Sequence, residues 1–134
     1  MLAVAVAAGA LVSGLVAVQA SVAGDPACDH GHASTRTFTI IADIHGFNDS
    51  ANIPGNWPIL TVHKCETVTI KVVNRDVQTH GLAVATYAPN GVAVQPGATQ
   101  TLTFLANRKG EFRIYCNVLC TVHIFMQRGL LEVK

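Results

Sequence analysis

Apolar residues are distributed along this chain in two distinct ways. Residues 2–18, "LAVAVAAGALVSGLVAV", carry no charge, and the first Lys or Arg is Arg36. The uncharged run reaches Gly24, a length suited to crossing a bilayer. It is rich in Ala, Val and Gly rather than Leu, which makes it a weak membrane-spanning helix. "VQA" before Ser21 and "SVA" before Gly24 both satisfy the small-residue rule for signal cleavage, although no basic segment precedes the run. The pattern predicts an N-terminal hydrophobic helix over 1–24. It is either a transmembrane anchor, with residues 2–23 in the membrane, or a secretory signal. The remainder is then membrane-anchored on the extracytoplasmic face, or secreted if the segment is cleaved. Residues 25–36 are polar and turn-rich and read as a linker. Asp29, His30 and His32 fall in it and are read as solvated rather than as a metal site.

From residue 37 the pattern changes to short β-type runs broken by turn residues. In "TFTIIADI" (37–44), Phe38, Ile40 and Ala42 share one face. Val68, Ile70 and Val72 alternate with Thr69, Lys71 and Val73, as in a strand buried on one side. Further strands are expected at 59–64, 81–87, 99–106, 110–116 and 129–134. "NRD", "APNG" and "QPGA" read as turns, and the Pro-, Gly- and Asn-rich stretch 46–58 as an irregular loop. No convincing helical period follows residue 24. Some seven short strands in residues 37–134 predict one all-β domain, a β-sandwich with Greek-key connections.

Composition adds mainly exclusions. Half of the residues are hydrophobic and 13% are charged, with a formal net charge of +1. This is not a disordered chain, and no basic concentration points to nucleic acid.

The candidate chemistry lies between two strands. "YCNVLCTVHIFM" (115–126) places Cys116, Cys120, His123 and Met126 in a loop that joins "GEFRIYC" to "GLLEVK". His80, at the end of "NRDVQTH", can meet that loop at one end of a sandwich. His, Cys, His and Met together are the ligand set of a copper electron-transfer site.

These stretches, with "VHKCETVTIKVVNRDVQTHG" and "QPGATQTLTFLANRKGEFRIYC", resemble the cupredoxin superfamily over roughly residues 37–134. The resemblance implies a cupredoxin-like sandwich with His80 as the N-terminal ligand. It leaves two sites open. Cys120, His123 and Met126 match the Cys-x2-His-x2-Met of amicyanin-like and pseudoazurin-like proteins, which implies one type 1 copper held with His80. Cys116, however, ends the strand that carries the first bridging cysteine of the binuclear CuA domain, found in cytochrome oxidase subunit II and nitrous oxide reductase. That pattern is Cys-x3-Cys-x3-His-x2-Met, and here the middle gap is one residue shorter. The CuA-like reading is favoured because a spare thiol beside a copper–thiolate bond would be a chemical liability. In it both thiolates bridge, His80 and His123 cap one copper each, Met126 is a weak axial ligand, and the carbonyl of Val118 serves the other ion. A disulfide between Cys116 and Cys120 would leave His123 and Met126 without a role.

Cys28 and Cys65 have no metal-ligand spacing. In an oxidising compartment they are expected to pair, pinning the linker to the domain; the alternative is two free thiols. His45 and His63 read as hydrogen-bonded histidines, and "NDS" (48–50) matches a glycosylation sequon. Val118, Leu119, Ile124 and Phe125 would exclude water from the ligands; Phe47 and Trp57 are candidates for the same apolar docking patch, with Trp57 read equally as ordinary sandwich core.

The expected function is electron transfer by copper outside the cytoplasm, with no catalytic site in the domain itself. The CuA resemblance and single anchor suggest subunit II of a haem–copper terminal oxidase in a respiratory chain, with subunit I and redox donor and acceptor proteins as partners. A membrane-tethered type 1 copper carrier fits the same features. Copper storage or delivery fits less well, since Met1 and Met126 are the only methionines. A catalytic role such as nitrite reduction would call for a further metal site or an open position, and the sequence shows no clear second cluster.

Overall fold

The alternating runs fold into two facing sheets. The structure, a computed structural model, describes Cys28 and residues 34–134. The expected helix and most of the linker lie outside the described residues. The strands are β1 (Thr35–Asp43), β2 (Gly46–Phe47), β3 (Ile59–Val62), β4 (Thr67–Asn74), β5 (His80–Val84), β6 (Ala88–Val94), β7 (Thr99–Leu105), β8 (Gly110–Tyr115) and β9 (Gly129–Val133). One sheet has the order β2-β1-β4-β7 and the other β3-β9-β8-β5-β6. β1 runs parallel to β4 and β3 parallel to β9, while the remaining pairs are antiparallel.

Side-chain alternation fills the space between the sheets. Ile40, Val68, Ile70 and Val72 come from the first sheet; Leu82, Val84, Ile114 and Leu131 come from the second. Each is buried, and burying such a side chain contributes roughly 1.5–3 kcal/mol. β5 is buried at every position because β8 and β6 flank it.

Two local readings are corrected. "APNG" is not a turn: Ala88–Val94 forms edge strand β6, and the chain reverses at residues 85–87, with Thr86 at φ 72°. Pro89 is tolerated at an edge, and the register shift between Leu82 and Val84 absorbs the irregularity beside it. Gly91 packs against the Leu82 carbonyl, where a Cβ would collide. His63 lies just past the end of β3 and is exposed.

Cys65 occupies the β3–β4 turn at φ 73°, a conformation that favours glycine, and is bonded to Cys28 with Cα atoms 5.2 Å apart. Beside it Glu66 accepts hydrogen bonds from Ser34 Oγ (2.7 Å), the His63 N–H (2.9 Å) and Arg36 Nε (3.3 Å). Led by the His63 and Ser34 bonds, these contacts hold its carboxyl below the ordinary range.

Candidate metal centre

Antiparallel pairing of β5 with β8 sets Ala83 opposite Tyr115. The start of β5 and the end of β8 therefore meet at one end of the sandwich, the opposite end of β4 from the disulfide. Asn74, at the end of β4, braces the intervening loop. Its carboxamide N–H groups donate to the carbonyls of Gln78 (2.7 Å) and Val94 (2.8 Å), and its Oδ1 accepts from the Asp76 N–H (2.8 Å).

His80 is fully buried, and its Nε2 lies 2.9 Å from Asp76 Oδ2, itself buried. Burial opposes ionisation of Asp76. Hydrogen bonds from His80 and from the Val77 and Gln78 backbone outweigh it and hold the carboxyl below the usual carboxylate range. The other ring nitrogen, Nδ1, is buried without a hydrogen-bond partner. A buried orphan of this kind calls for an explanation, and an ion is one.

Two sulfurs lie close to the ring. Cys116 is buried, and ligand atoms of His80, Cys116 and Cys120 all lie within 4.8 Å of one another. The Gly81 N–H donates to Cys116 Sγ at 3.2 Å, and the Cys116 thiol donates to the Val118 carbonyl at 3.0 Å. Gly81 is required by space: a Cβ there would strike Asn117 Oδ1 and crowd the Val118 backbone. Cys120, half-buried, donates to Met126 Sδ at 3.7 Å. Burial and the adjacent Cys116 push the Cys120 thiol up to about 11, so it stays protonated unless a cation replaces the proton. Both cysteines are free thiols. Met126 is buried at the end of a 3-10 turn, His123–Met126.

His123 opens that turn but stands outside the close group. Its Nδ1 lies 3.0 Å from the Val118 carbonyl and its Nε2 3.0 Å from Gln127 Nε2. The structure thus brings His80, Cys116, Cys120 and Met126 together. His123 reaches them through the Val118 oxygen that it shares with Cys116.

The donor set suits a soft cation: two thiols, an unpaired imidazole nitrogen and a thioether, with Val118, Cys120 and Val122 of the same loop packed against the core. A second group, Asp43, His45 and Asp49, is half-buried. There His45 Nδ1 pairs with Asp49 Oδ1 at 3.2 Å and the His45 N–H bonds Asp43 Oδ1 at 2.8 Å, contacts that hold the turn after β1.

Apolar residues fringe the site. Leu119 is 87% exposed, Ile124 70% and Phe125 39%. Trp57, Pro54, Ile124, Phe125 and Arg128 line an adjacent pocket of about 230 Å³. Phe47 does not join this patch; it is buried in the core. Ser50 of the sequon is buried, and its hydroxyl donates to the Phe125 carbonyl at 2.6 Å, clamping the ligand loop. Sequence reasoning missed Asp76, Gly81, Gln127 and Ser50. Only Asp76 left a trace, four residues before His80 on the same loop.

No protein-family model matches the chain. Several solved structures do. A copper-containing nitrite reductase from Thermus scotoductus SA-01 superimposes with a TM-score of 0.58 and 28% identity, over 75% of this chain and 28% of that one. Copper nitrite reductase from Nitrosomonas europaea gives 0.59 and 21%, over 75% and 42%. The multicopper oxidase mgLAC gives 0.60 and 20%, over 75% and 39%. The chain spans less than half the length of each. These similarities, with the two-sheet topology above, establish a cupredoxin-like fold.

Proposed function

We propose that this is a copper-binding electron-transfer domain in which both Cys116 and Cys120 are ligands, as in a CuA centre. The observation that carries the reading is the bare, buried Nδ1 of His80 with both sulfurs within 4.8 Å of a His80 ligand atom. Cys116 belongs to the buried core, yet its sulfur lies within reach of a His80 ligand atom and of Cys120, as a bridging ligand requires. Met126 would add the weak axial contact, and the Val118 carbonyl lies beside Cys116 and His123. Copper held there supplies a one-electron couple. The chain's own contribution is to fix the ligands beforehand: Asp76 orients His80, the Gly81 N–H polarises the Cys116 sulfur, and the apolar packing of the loop limits solvent reorganisation.

A mononuclear type 1 site is the second reading. It is favoured by the Cys120-x2-His123-x2-Met126 spacing. The apolar fringe of Leu119, Ile124 and Phe125 suits docking of redox donor and acceptor proteins. Subunit II of a haem–copper oxidase, docked on subunit I and anchored through residues 2–23, is the assembly that we infer. The Cys28–Cys65 bond supports an extracytoplasmic location.

Copper-to-protein stoichiometry with the electron paramagnetic hyperfine pattern tests this. Two coppers sharing one unpaired electron are expected, and Cys116→Ser should abolish that signal. A Cys116→Ser protein with an unchanged one-copper spectrum would establish the mononuclear site instead.

A further inference from the structure

Each polar contact of His123 is fixed by a group with only one possible role. The Cys116 carbonyl is an acceptor only, so the Gln127 atom 3.0 Å from it is the carboxamide N–H. The same nitrogen lies 3.0 Å from His123 Nε2. Two N–H groups cannot share a hydrogen bond, so Nε2 is bare and accepts. A neutral imidazole with a bare Nε2 carries its proton on Nδ1. Nδ1 is 3.0 Å from the Val118 carbonyl, again only an acceptor, so the network closes without conflict. At His80 the arrangement is reversed: Asp76 accepts from Nε2–H and leaves Nδ1 bare.

We propose that Gln127 holds His123 in a tautomer that offers no free lone pair to a metal, so that completing the site requires Gln127 to let go. This rests on the copper reading above and adds an order to it. His80, Cys116, Cys120 and Met126 take the ion first, and His123 joins second. To ligate through Nδ1, His123 gives that proton to solvent and takes one from solvent at Nε2, leaving the ring neutral. Nε2–H then faces the carboxamide N–H, so Gln127 must present its oxygen or swing away. To ligate through Nε2, His123 needs Gln127 gone altogether. Every route opens the same contacts, including the bond to the Cys116 carbonyl.

The test begins with metal-free protein carrying 15N-histidine. A two-bond nitrogen–proton correlation spectrum should show His123 with its proton on Nδ1 and His80 with its proton on Nε2. Gln127→Glu replaces the donor with a carboxylate that can only accept, so Nε2 of His123 should now carry a proton. A wild-type His123 protonated on Nε2 overturns the proposal, as does a Gln127→Glu protein that keeps a bare Nε2. The second arm mixes each protein rapidly with cobalt(II), which does not oxidise thiols. Wild type should bind in two phases, with the slower one accelerated on the order of tenfold in Gln127→Glu, since two neutral hydrogen bonds no longer have to open. Identical slow phases overturn the ordering. A failure to bind copper in the stoichiometry experiment would sink the copper reading alone, because the tautomer spectrum decides the Gln127 lock without any metal.

Discussion

Replacing Asp76 separates its packing role from its effect on His80. Its two carboxylate oxygens have different partners: Oδ1 accepts from the Val77 N–H at 2.6 Å and Oδ2 from His80 Nε2 at 2.9 Å. Asp76→Ala removes both acceptors in a fully buried setting and leaves an imidazole N–H and a backbone N–H unpaired. Each buried donor left without an acceptor costs about 1–3 kcal/mol. Asp76→Asn keeps the shape but has a single oxygen. The backbone N–H of Val77 can only donate, so it claims that oxygen, and the carboxamide N–H turns to His80. His80 can adapt by moving its proton to Nδ1. The expected stability cost is therefore only about 1–2 kcal/mol, but the nitrogen that should meet the metal is now protonated. Metal affinity should fall on the order of 10- to 100-fold, as is typical for loss of a partner that orients a ligand. Urea unfolding of the metal-free proteins gives the first number, and competition with a chelator gives the second. An Asp76→Ala protein within about 1 kcal/mol of wild type would refute the burial argument. An Asp76→Asn protein with undiminished affinity would refute the tautomer argument.

Removing the disulfide with the paired Cys28→Ser and Cys65→Ser changes should cost about 4 kcal/mol, the loop-closure value for a separation of 37 residues, read as a lower urea midpoint; a loss below about 1 kcal/mol would contradict it. Glu66→Gln should weaken the fold at neutral pH and not in strong acid. The folded carboxyl is held below its ordinary value, so its contribution is complete above that value and disappears as pH falls through the lower, folded one. The wild-type and variant stabilities should therefore draw together as pH falls below the ordinary carboxyl range, and a constant difference into strong acid would count against the reading. Gly81→Ala should destabilise by roughly 1–3 kcal/mol, because the Val118 backbone cannot retreat from the new methyl group; a midpoint equal to wild type would show that the loop yields.

Much of the fold was legible because half-buried strands write their alternation directly into the chain, as Val68, Ile70 and Val72 do. β6 was hidden because its Pro and Gly mimic turn chemistry, and only its edge position makes them tolerable. Cys116, Cys120, His123 and Met126 could be found because thiols, an imidazole and a thioether seldom crowd into one short apolar loop. His80 needed the sandwich itself, since only the antiparallel β5–β8 register carries it to Cys116. Gln127 and Ser50 left no trace because their role lies in which backbone carbonyl they reach, a property of tertiary geometry. Phe47 misled because an aromatic in a polar loop reads as exposed, whereas the short β1–β2 hairpin folds it into the core.

The disulfide also bears on how quickly this chain can find its shape. β1 and β4 pair in parallel from Thr35↔Thr67 onward, so no tight hairpin can nucleate them. Their meeting requires closure of the long segment between, which includes β2, the 46–58 loop and β3. Such non-local encounters slow the search, because the entropy of closure is lost before any contact repays it. Cys65 lies two residues, and Cys28 seven, ahead of the first paired residues of β4 and β1. Once oxidised, the chain begins the β1–β4 search with both strand entrances already joined. The reduced chain must find that register by diffusion, with an unpaired, β-branched β4 exposed in the meantime. Oxidation before collapse should therefore speed productive folding and shorten the period in which β4 can pair with another copy.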